Sequence, residues 1–275
     1  MTVTQALGDA GRQGLDRLDA QLLLLEALGR KPNDRAWLIA HDSDGLPADA
    51  GDRFMRLCAR RAAGEPLAYL RGRQAFYGLE LQVDSRVLIP RPDTETLVDW
   101  VLAVLKDTGT PRVLDLGTGS GAIALAIKYE RPDARVSAVD ASPAALEVAA
   151  SNAQRLGLDV AFSAGSWLDG VSGHYDLIAS NPPYIAQGDT HLPTLSHEPA
   201  QALVSGADGL DDIRQIIASA ASRLLPGGWL LLEHGWDQAG AVRALLATAG
   251  FSEVGSRNDV AGIARCSGGK VPALG

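Results

Sequence analysis

Cysteine is nearly absent from this chain, and so are the features that would tie it to a membrane, a metal or a nucleic-acid backbone. Cys58 and Cys266 are the only two cysteines in 275 residues. They lie too far apart in sequence for a metal knuckle or a redox pair, so a reducing cytoplasm is the expected compartment. No apolar run approaches the roughly 20 residues that a spanning helix needs, and Met1 to Ala10 carries Asp9 rather than a cationic stretch before an apolar one, so no membrane association or targeting segment is expected. Aromatic residues make up only 5% and the net charge is -8. Nonspecific nucleic-acid binding is dominated by phosphate neutralisation, so no direct nucleic-acid partner is expected. The histidines, His41, His174, His191, His197 and His234, have spacings that suggest no zinc site, and no metal is expected. What is present is a hydrophobic content of 46%, enough for one large domain or two modest ones.

Helix signals fill the first part of the chain. Leu15, Leu18, Leu22 and Leu25 stand at helical spacing, and Gly29 falls where a C-terminal cap belongs. A further short segment holds Trp37 and Leu38, and another sets Phe54, Leu57 and Cys58 against Arg56, Arg60 and Arg61 before Gly64 and Pro66 stop it. Each segment is too short to be stable alone, so a small helical bundle is predicted. Between Tyr69 and Pro90 the pattern changes to short alternating runs around Phe76-Tyr77-Gly78 and Leu79 to Val83, which suit a hairpin connector. Leu97, Val98, Val101, Leu102 and Leu105 then form one apolar helical stripe. From Arg112 onward strand-like runs at 113–116, 136–139, 160–163, 177–180 and 229–232 alternate with helical patterns, which predicts a parallel sheet with helices on both faces. The tail, 252–256 and 262–266, is predicted to close it with an antiparallel pair.

Chemistry concentrates in two places. Asp115-Leu116-Gly117-Thr118-Gly119-Ser120-Gly121 follows the first parallel strand and opens a helix; glycines there let the backbone approach a ligand that a Cβ would exclude. A bare tight turn has the same look, but Asp140 ends the next strand, where a carboxylate reaches the two hydroxyls of a ribose. Ser142, followed by Pro143, is the better helix cap at that point. The negative Asp115 beside the turn disfavours a phosphate and suits a cationic ligand such as S-adenosylmethionine. Asn181-Pro182-Pro183-Tyr184 stands at the carboxyl end of the fourth strand, the edge where ligands bind in such sheets. An amide nitrogen is a poor nucleophile because its lone pair is delocalised. The Asn181 side-chain oxygen and the Pro182 carbonyl can each accept one of its N–H groups, and both bonds strengthen as the nitrogen gains positive charge on methylation. Tyr184 offers a flat face for the planar target. No general base is required, because the nitrogen becomes acidic only after methylation.

These residues resemble the protein-(glutamine-N5) methyltransferases that modify the Gly-Gly-Gln motif of peptide chain release factors. The resemblance runs through Asp19-Ala20, Glu65-Pro66, Tyr69-Leu70, Gly72, Phe76 and Gly78, then the Leu88 to Glu95 run, the glycine loop, Asn181 to Tyr184, Glu198-Pro199 and Asp208-Gly209-Leu210. It implies an α/β class I methyltransferase fold: a doubly wound, mostly parallel seven-stranded sheet, with an N-terminal helical bundle joined by a β-hairpin. The implied domains are a substrate-recognition bundle at 1–68, a hairpin linker at 69–90 and a S-adenosylmethionine-dependent catalytic domain at 91–275. Carried over by motif, Asp115, Gly117, Thr118, Gly119, Ser120, Gly121, Asp140, Trp167 and Asn181 hold the cofactor, with Trp167 against the adenine. Asn181, Pro182, Pro183 and Tyr184 hold the glutamine, and Arg91 and Glu95 contact substrate or cofactor. The expected product of the donor is S-adenosylhomocysteine, the expected partner a class 1 release factor, and the expected state a monomer.

Two other functions fit parts of the pattern. A nucleobase N-methyltransferase meets the same geometry at an exocyclic amino group, but it calls for a basic, aromatic-rich target domain, which the sequence does not offer. A non-catalytic cofactor-binding module does not need the intact Asn181, Pro182 and Tyr184. The arginines Arg56, Arg60, Arg61, Arg71 and Arg73 read either as a face for an acidic protein surface or as solvated side chains.

Overall fold

Thr2 starts the first helix with a reciprocal cap: its hydroxyl accepts from the Gln5 N–H at 3.3 Å, and the Gln5 side chain accepts from the Thr2 N–H at 2.8 Å. A computed structural model describes residues 1–273, which fold as two units, Met1–Arg73 and a larger one from Gln74 onward. The first unit is a bundle of α1 (Val3–Arg12), α2 (Arg17–Ala27), α3 (Arg35–Ala40), α4 (Ala48–Ala62) and α5 (Leu67–Arg71). Gly29, with φ 68°, ends α2 by letting the Arg30 N–H reach back to the Leu25 carbonyl at 2.8 Å.

The buried face of α2 differs from the predicted stripe. Leu18 is 49% exposed, whereas Leu23, Leu24 and Leu25 are fully buried. The cause is that α2 packs against α1, α3, α4 and α5, so a run of adjacent leucines is covered from several sides and the single-stripe pattern fails. Three of the arginines turn to acids of their own unit: Arg61 to Asp19 at 2.7 Å, Arg60 to Glu65 at 2.5 Å, and Arg73 to Glu26. Arg56 stays exposed.

Strands β1 (Arg73–Phe76) and β2 (Leu79–Gln82) form a hairpin whose two turn residues, Tyr77 and Gly78, both have positive φ. That is the twist-matched two-residue turn. The main sheet comprises β3 (Arg112–Leu116), β4 (Arg135–Asp140), β5 (Ala161–Ala164), β6 (Tyr175–Ser180), β7 (Leu224–Glu233), β8 (Ser252–Asn258) and β9 (Ala264–Lys270), in spatial order β5-β4-β3-β6-β7-β9-β8. The pairings among β5, β4, β3, β6 and β7 are parallel, and β9 pairs antiparallel with both β7 and β8. The helices are α6 (Glu95–Leu105), α7 (Ala122–Glu130), α8 (Pro143–Leu156), α9 (Asp211–Ala220) and α10 (Ala239–Thr248).

Side chains alternate between two cores, as the strand period of two requires. Val113 and Leu177 join α6 and α7 on one face, while Leu114 and Ile178 join α9 and α10 on the other. The last strand lies further along than predicted, starting at Ala264 because Gly262 is in the turn with φ 81°. It runs through Gly268, where a Cβ would collide with Leu231 and the Leu230 carbonyl, so glycine is what lets β9 lie against β7. The order reverses between β3 and β6, which opens a crevice at their carboxyl ends. Among the described residues no helix is long and apolar enough to cross a membrane.

Candidate active site

The glycine loop leaves β3 with Gly117, Gly119 and Gly121 at φ 69°, 55° and 86°, a conformation that side chains with a Cβ rarely adopt. Backbone N–H groups of Gly117 and Thr118 both donate to the Val139 carbonyl, at 2.8 and 3.0 Å. Asp140 completes the tie: Oδ2 accepts from the Gly119 N–H and Oδ1 from the Ser142 N–H, each at 2.8 Å. The N-cap of α8 is made by Ser142, whose hydroxyl accepts from the Ala145 N–H at 3.2 Å. A carboxylate has about four lone-pair sites, so Asp140 keeps acceptor capacity for a pair of hydroxyls.

A cavity of about 240 Å³ opens here, lined in part by Gly117, Gly119, Asp140, Gly165, Trp167 and Asn181. Trp167 lies against the loop. Its indole N–H donates to Asp212 Oδ1 at 3.1 Å, and a Cβ on Gly117 would come within 3.2 Å of its ring. Pro183 also lines the cavity. Asp115, Thr118, Ser120 and Gly121 are buried and do not line the cavity. Asp115 Oδ2 accepts from the Thr118 hydroxyl at 2.6 Å and the Ala124 N–H at 3.2 Å, while Oδ1 is buried without a partner. Burial, opposed by those two hydrogen bonds, pushes its carboxyl up to about 7, and the Asp140 charge adds to the push.

Asn181 follows Ser180, whose hydroxyl donates to the Leu116 carbonyl at 2.7 Å and fixes the end of β6 against β3. The Asn181 side-chain N–H donates to Thr94 Oγ1 at 3.2 Å, and its Oδ1 is buried with no partner. A second cavity, about 160 Å³, is lined by Leu88, Arg91, Asn181, Tyr184 and neighbouring apolar side chains. Asn181 therefore borders both cavities. Pro182 and Pro183 are buried. The Tyr184 hydroxyl points to Glu233 Oε1 at 3.4 Å, and burial followed by the Glu233 charge pushes its pKa up.

Arg91 lines the second cavity and is ion-paired with Glu198, a 3%-exposed carboxylate that also accepts from the Ile89 N–H at 3.0 Å. Glu95 is not brought to either cavity. Its Oε1 accepts from the Tyr77 N–H at 2.8 Å, so it secures the hairpin turn instead. Four residues that sequence reasoning missed complete the surroundings. Asn152 is buried and donates to the Ser120 and Gln82 carbonyls, both at 3.0 Å, which pins the glycine loop to β2. Asp212 orients Trp167, and Thr94 and Glu233 stand behind Asn181 and Tyr184. Glu233 is 1% exposed, its Oε2 is buried with no partner, and burial pushes its carboxyl up to about 7. Among the described residues no acidic, histidine or cysteine cluster could hold a metal ion.

The sheet order and the glycine loop at the switch point define a class I methyltransferase fold. It is similar to a solved methyltransferase from Pyrococcus furiosus, with a TM-score of 0.55 at 20% identity, covering 81% of this chain and 99% of that one. The model of the methyltransferase small domain matches residues 94–208, and that of the PrmC N-terminal domain matches residues 2–72. Release factor glutamine methyltransferase of Bordetella pertussis is 52% identical over 260 residues, 93% of this chain and 95% of that protein. The protein of the same name from Xylella fastidiosa strain Temecula1 is 50% identical over 273 residues, 98% of each. The chain belongs to the release factor glutamine methyltransferase family.

Proposed function

We propose that this enzyme transfers the methyl group of S-adenosylmethionine to the side-chain amide nitrogen of the glutamine in the Gly-Gly-Gln motif of class 1 release factors. The observation that carries the reading is the state of Asn181. Its nitrogen is engaged by Thr94, and its oxygen is a buried acceptor without a partner on the border of two cavities. A buried acceptor left unmade costs about 1–3 kcal/mol, which a substrate N–H recovers.

The residues fit the cofactor. Asp140 retains acceptor sites for ribose hydroxyls, and Gly117 and Gly119 give the backbone a face without Cβ atoms. Asp115 Oδ1 is an orphaned buried acceptor that suits a nearby positive charge. When bound, S-adenosylmethionine supplies an electrophilic methyl on a sulfonium. The chain's own work is orientation. Asn181 Oδ1 accepts one N–H of the glutamine amide and the Pro182 carbonyl the other, and Tyr184 packs against the amide plane. Both acceptors bind more strongly as positive charge develops on nitrogen, so they favour the transition state over the ground state. Arg91, held by buried Glu198, lines the second cavity and contacts the substrate from there.

The test is mass spectrometry of a release factor after incubation with enzyme and S-adenosylmethionine. The expected result is the mass of one methyl substitution on the Gly-Gly-Gln peptide, localised to the glutamine side chain, with S-adenosylhomocysteine as the second product. Methylation at another residue, or none, contradicts the reading.

A further inference from the structure

A methyl group in transit crosses from the space that holds its donor to the space that holds the nitrogen, so it passes the residues that line both. Leu88, Asn181 and Ala202 line both the larger cavity and the second one. Asn181 is the polar member and serves as acceptor. Leu88 and Ala202 carry no side-chain donor or acceptor, so at that border they act only by the volume they occupy.

We infer that Leu88 and Ala202 set the size of the alkyl group this enzyme transfers, and that buried Glu198 is the positioning residue that holds Leu88 in place. A side chain excludes volume only where its backbone is fixed. The Glu198 carboxylate accepts from the Ile89 N–H at 3.0 Å and pairs with the Arg91 guanidinium, so the chain is pinned at the residue after Leu88 and again two residues further on. Pro90 between them has a fixed φ. Ala202 ends a single turn, Ala200–Ala202, in which its N–H donates to the Pro199 carbonyl at 2.9 Å. The Leu203 carbonyl accepts from the Ile185 N–H at 2.9 Å, which joins this turn to the segment that carries Tyr184. Glu198 stands just before the same turn, so one residue ties the stretch that carries Leu88 to the loop that carries Ala202.

The inference rests on the reading that the glutamine nitrogen takes the methyl group. In that step the nitrogen lone pair forms the new N–C bond, the S–C bond breaks with its electron pair left on sulfur, and the nitrogen then loses its proton to water. One more methylene on the moving group leaves those bonds unchanged and adds bulk at the border. An apolar pocket discriminates one methylene by about 10- to 200-fold, so relief of the obstruction is read as a change in donor preference.

The test compares S-adenosylmethionine with S-adenosylethionine as saturating donors to a release factor, in single turnovers of the full-length enzyme and of Leu88→Ala, Leu88→Val, Ala202→Val and Glu198→Gln. The ratio of ethyl to methyl transfer is taken within one preparation, so an unfolded fraction cancels from it, and Leu88→Val is the milder variant if alanine is not tolerated. Leu88→Ala is expected to raise the ratio by about 10-fold or more, Leu88→Val by less, and Ala202→Val to lower it. Glu198→Gln keeps an acceptor for the Ile89 N–H but loses the ion pair, and is expected to raise the ratio by a smaller factor than Leu88→Ala. Calorimetry without release factor supplies a second readout. Wild type is expected to bind the methyl donor more tightly than the ethyl donor, the gap is expected to shrink in Leu88→Ala, and S-adenosylhomocysteine, which has no alkyl group to accommodate, is expected to bind both proteins alike. Ratios that stay at the wild-type value in the Leu88 and Ala202 variants, or ethyl transfer that stays undetectable in them while methylation persists, overturn the sizing role and leave the methyl-transfer reading standing. An equal loss of affinity for S-adenosylhomocysteine and for both donors in Leu88→Ala also overturns it, by making Leu88 an ordinary part of the cofactor wall. A wild-type ratio in Glu198→Gln removes the positioning role of Glu198. Failure of the wild-type enzyme to methylate the glutamine with S-adenosylmethionine removes the underlying reading itself.

Discussion

Gly119 donates its backbone N–H to Asp140 Oδ2 at 2.8 Å, joining the tip of the glycine loop to the end of the adjacent strand. The carboxylate thus holds the loop in place, and Asp140 also lines the larger cavity. Asp140→Ala is expected to weaken cofactor binding by ~2–4 kcal/mol, since it removes both charge-assisted acceptors and the loop anchor. Isothermal calorimetry on the folded variant checks this. Unaltered affinity would take Asp140 out of the site.

Asp115 gives a pH dependence whose sign can be worked out. Its carboxyl ionises near 3.8 ordinarily and near 7 in the fold. Between those values the folded state holds a proton that the unfolded chain has released, so this residue's contribution to stability falls as pH rises through that window. Asp115→Asn is therefore expected to raise the melting temperature of the cofactor-free enzyme relative to wild type at pH 8 by more than at pH 5. A cationic ligand stabilises the ionised form, so wild-type cofactor affinity should increase from pH 6 to pH 8 and the increase should shrink in Asp115→Asn. Parallel titrations in the two proteins would show that Asp115 does not sense the ligand.

Glu198 is the partner of both the Ile89 N–H and the Arg91 guanidinium while almost fully buried. Glu198→Ala leaves a buried donor unmade and a half-buried cation unpaired, for which about 2–4 kcal/mol of lost stability is expected. Denaturant unfolding monitored without ligand measures it. A loss below about 0.5 kcal/mol, the range of ordinary surface substitutions, would show that the pair is dispensable.

Gly209 has φ 76°, and a Cβ there would collide with the Tyr184 carbonyl and come within 2.7 Å of Gln238 Nε2, which itself donates to that carbonyl at 3.0 Å. Gly209→Ala should displace Tyr184 and lower the methyl-transfer rate while cofactor affinity holds, since neither residue lines the larger cavity. Equal losses in both quantities would point to general unfolding instead.

The parts of the site that are contiguous in sequence were the legible ones. The glycine loop carries its backbone requirement in its composition, Asp140 ends a recognisable strand, and the Asn181 to Tyr184 segment sits at a strand end that the alternating pattern locates. Thr94, Asn152, Asp212 and Glu233 were not legible, because each acquires its role from a partner that folding alone brings near: Thr94 meets Asn181 across 87 positions, and Asn152 meets Ser120 across 32. Glu95 lies in the same run as Arg91, yet the helix start directs it to the hairpin turn, where its Oε1 accepts from the Tyr77 N–H. In the bundle, α2 misled the reading because a helix covered on several sides shows no single stripe.

The central claim is that Asn181 Oδ1 accepts an N–H of the target amide and gains strength as the methyl is transferred. Asn181→Ala, studied by single-turnover methylation of a release factor at saturating S-adenosylmethionine, tests it most directly, because saturation keeps binding losses out of the rate. The account predicts a rate lower by on the order of 10²- to 10³-fold, the usual loss on removing one preorganised transition-state hydrogen bond, with cofactor affinity little changed. A wild-type single-turnover rate in the alanine variant would contradict it.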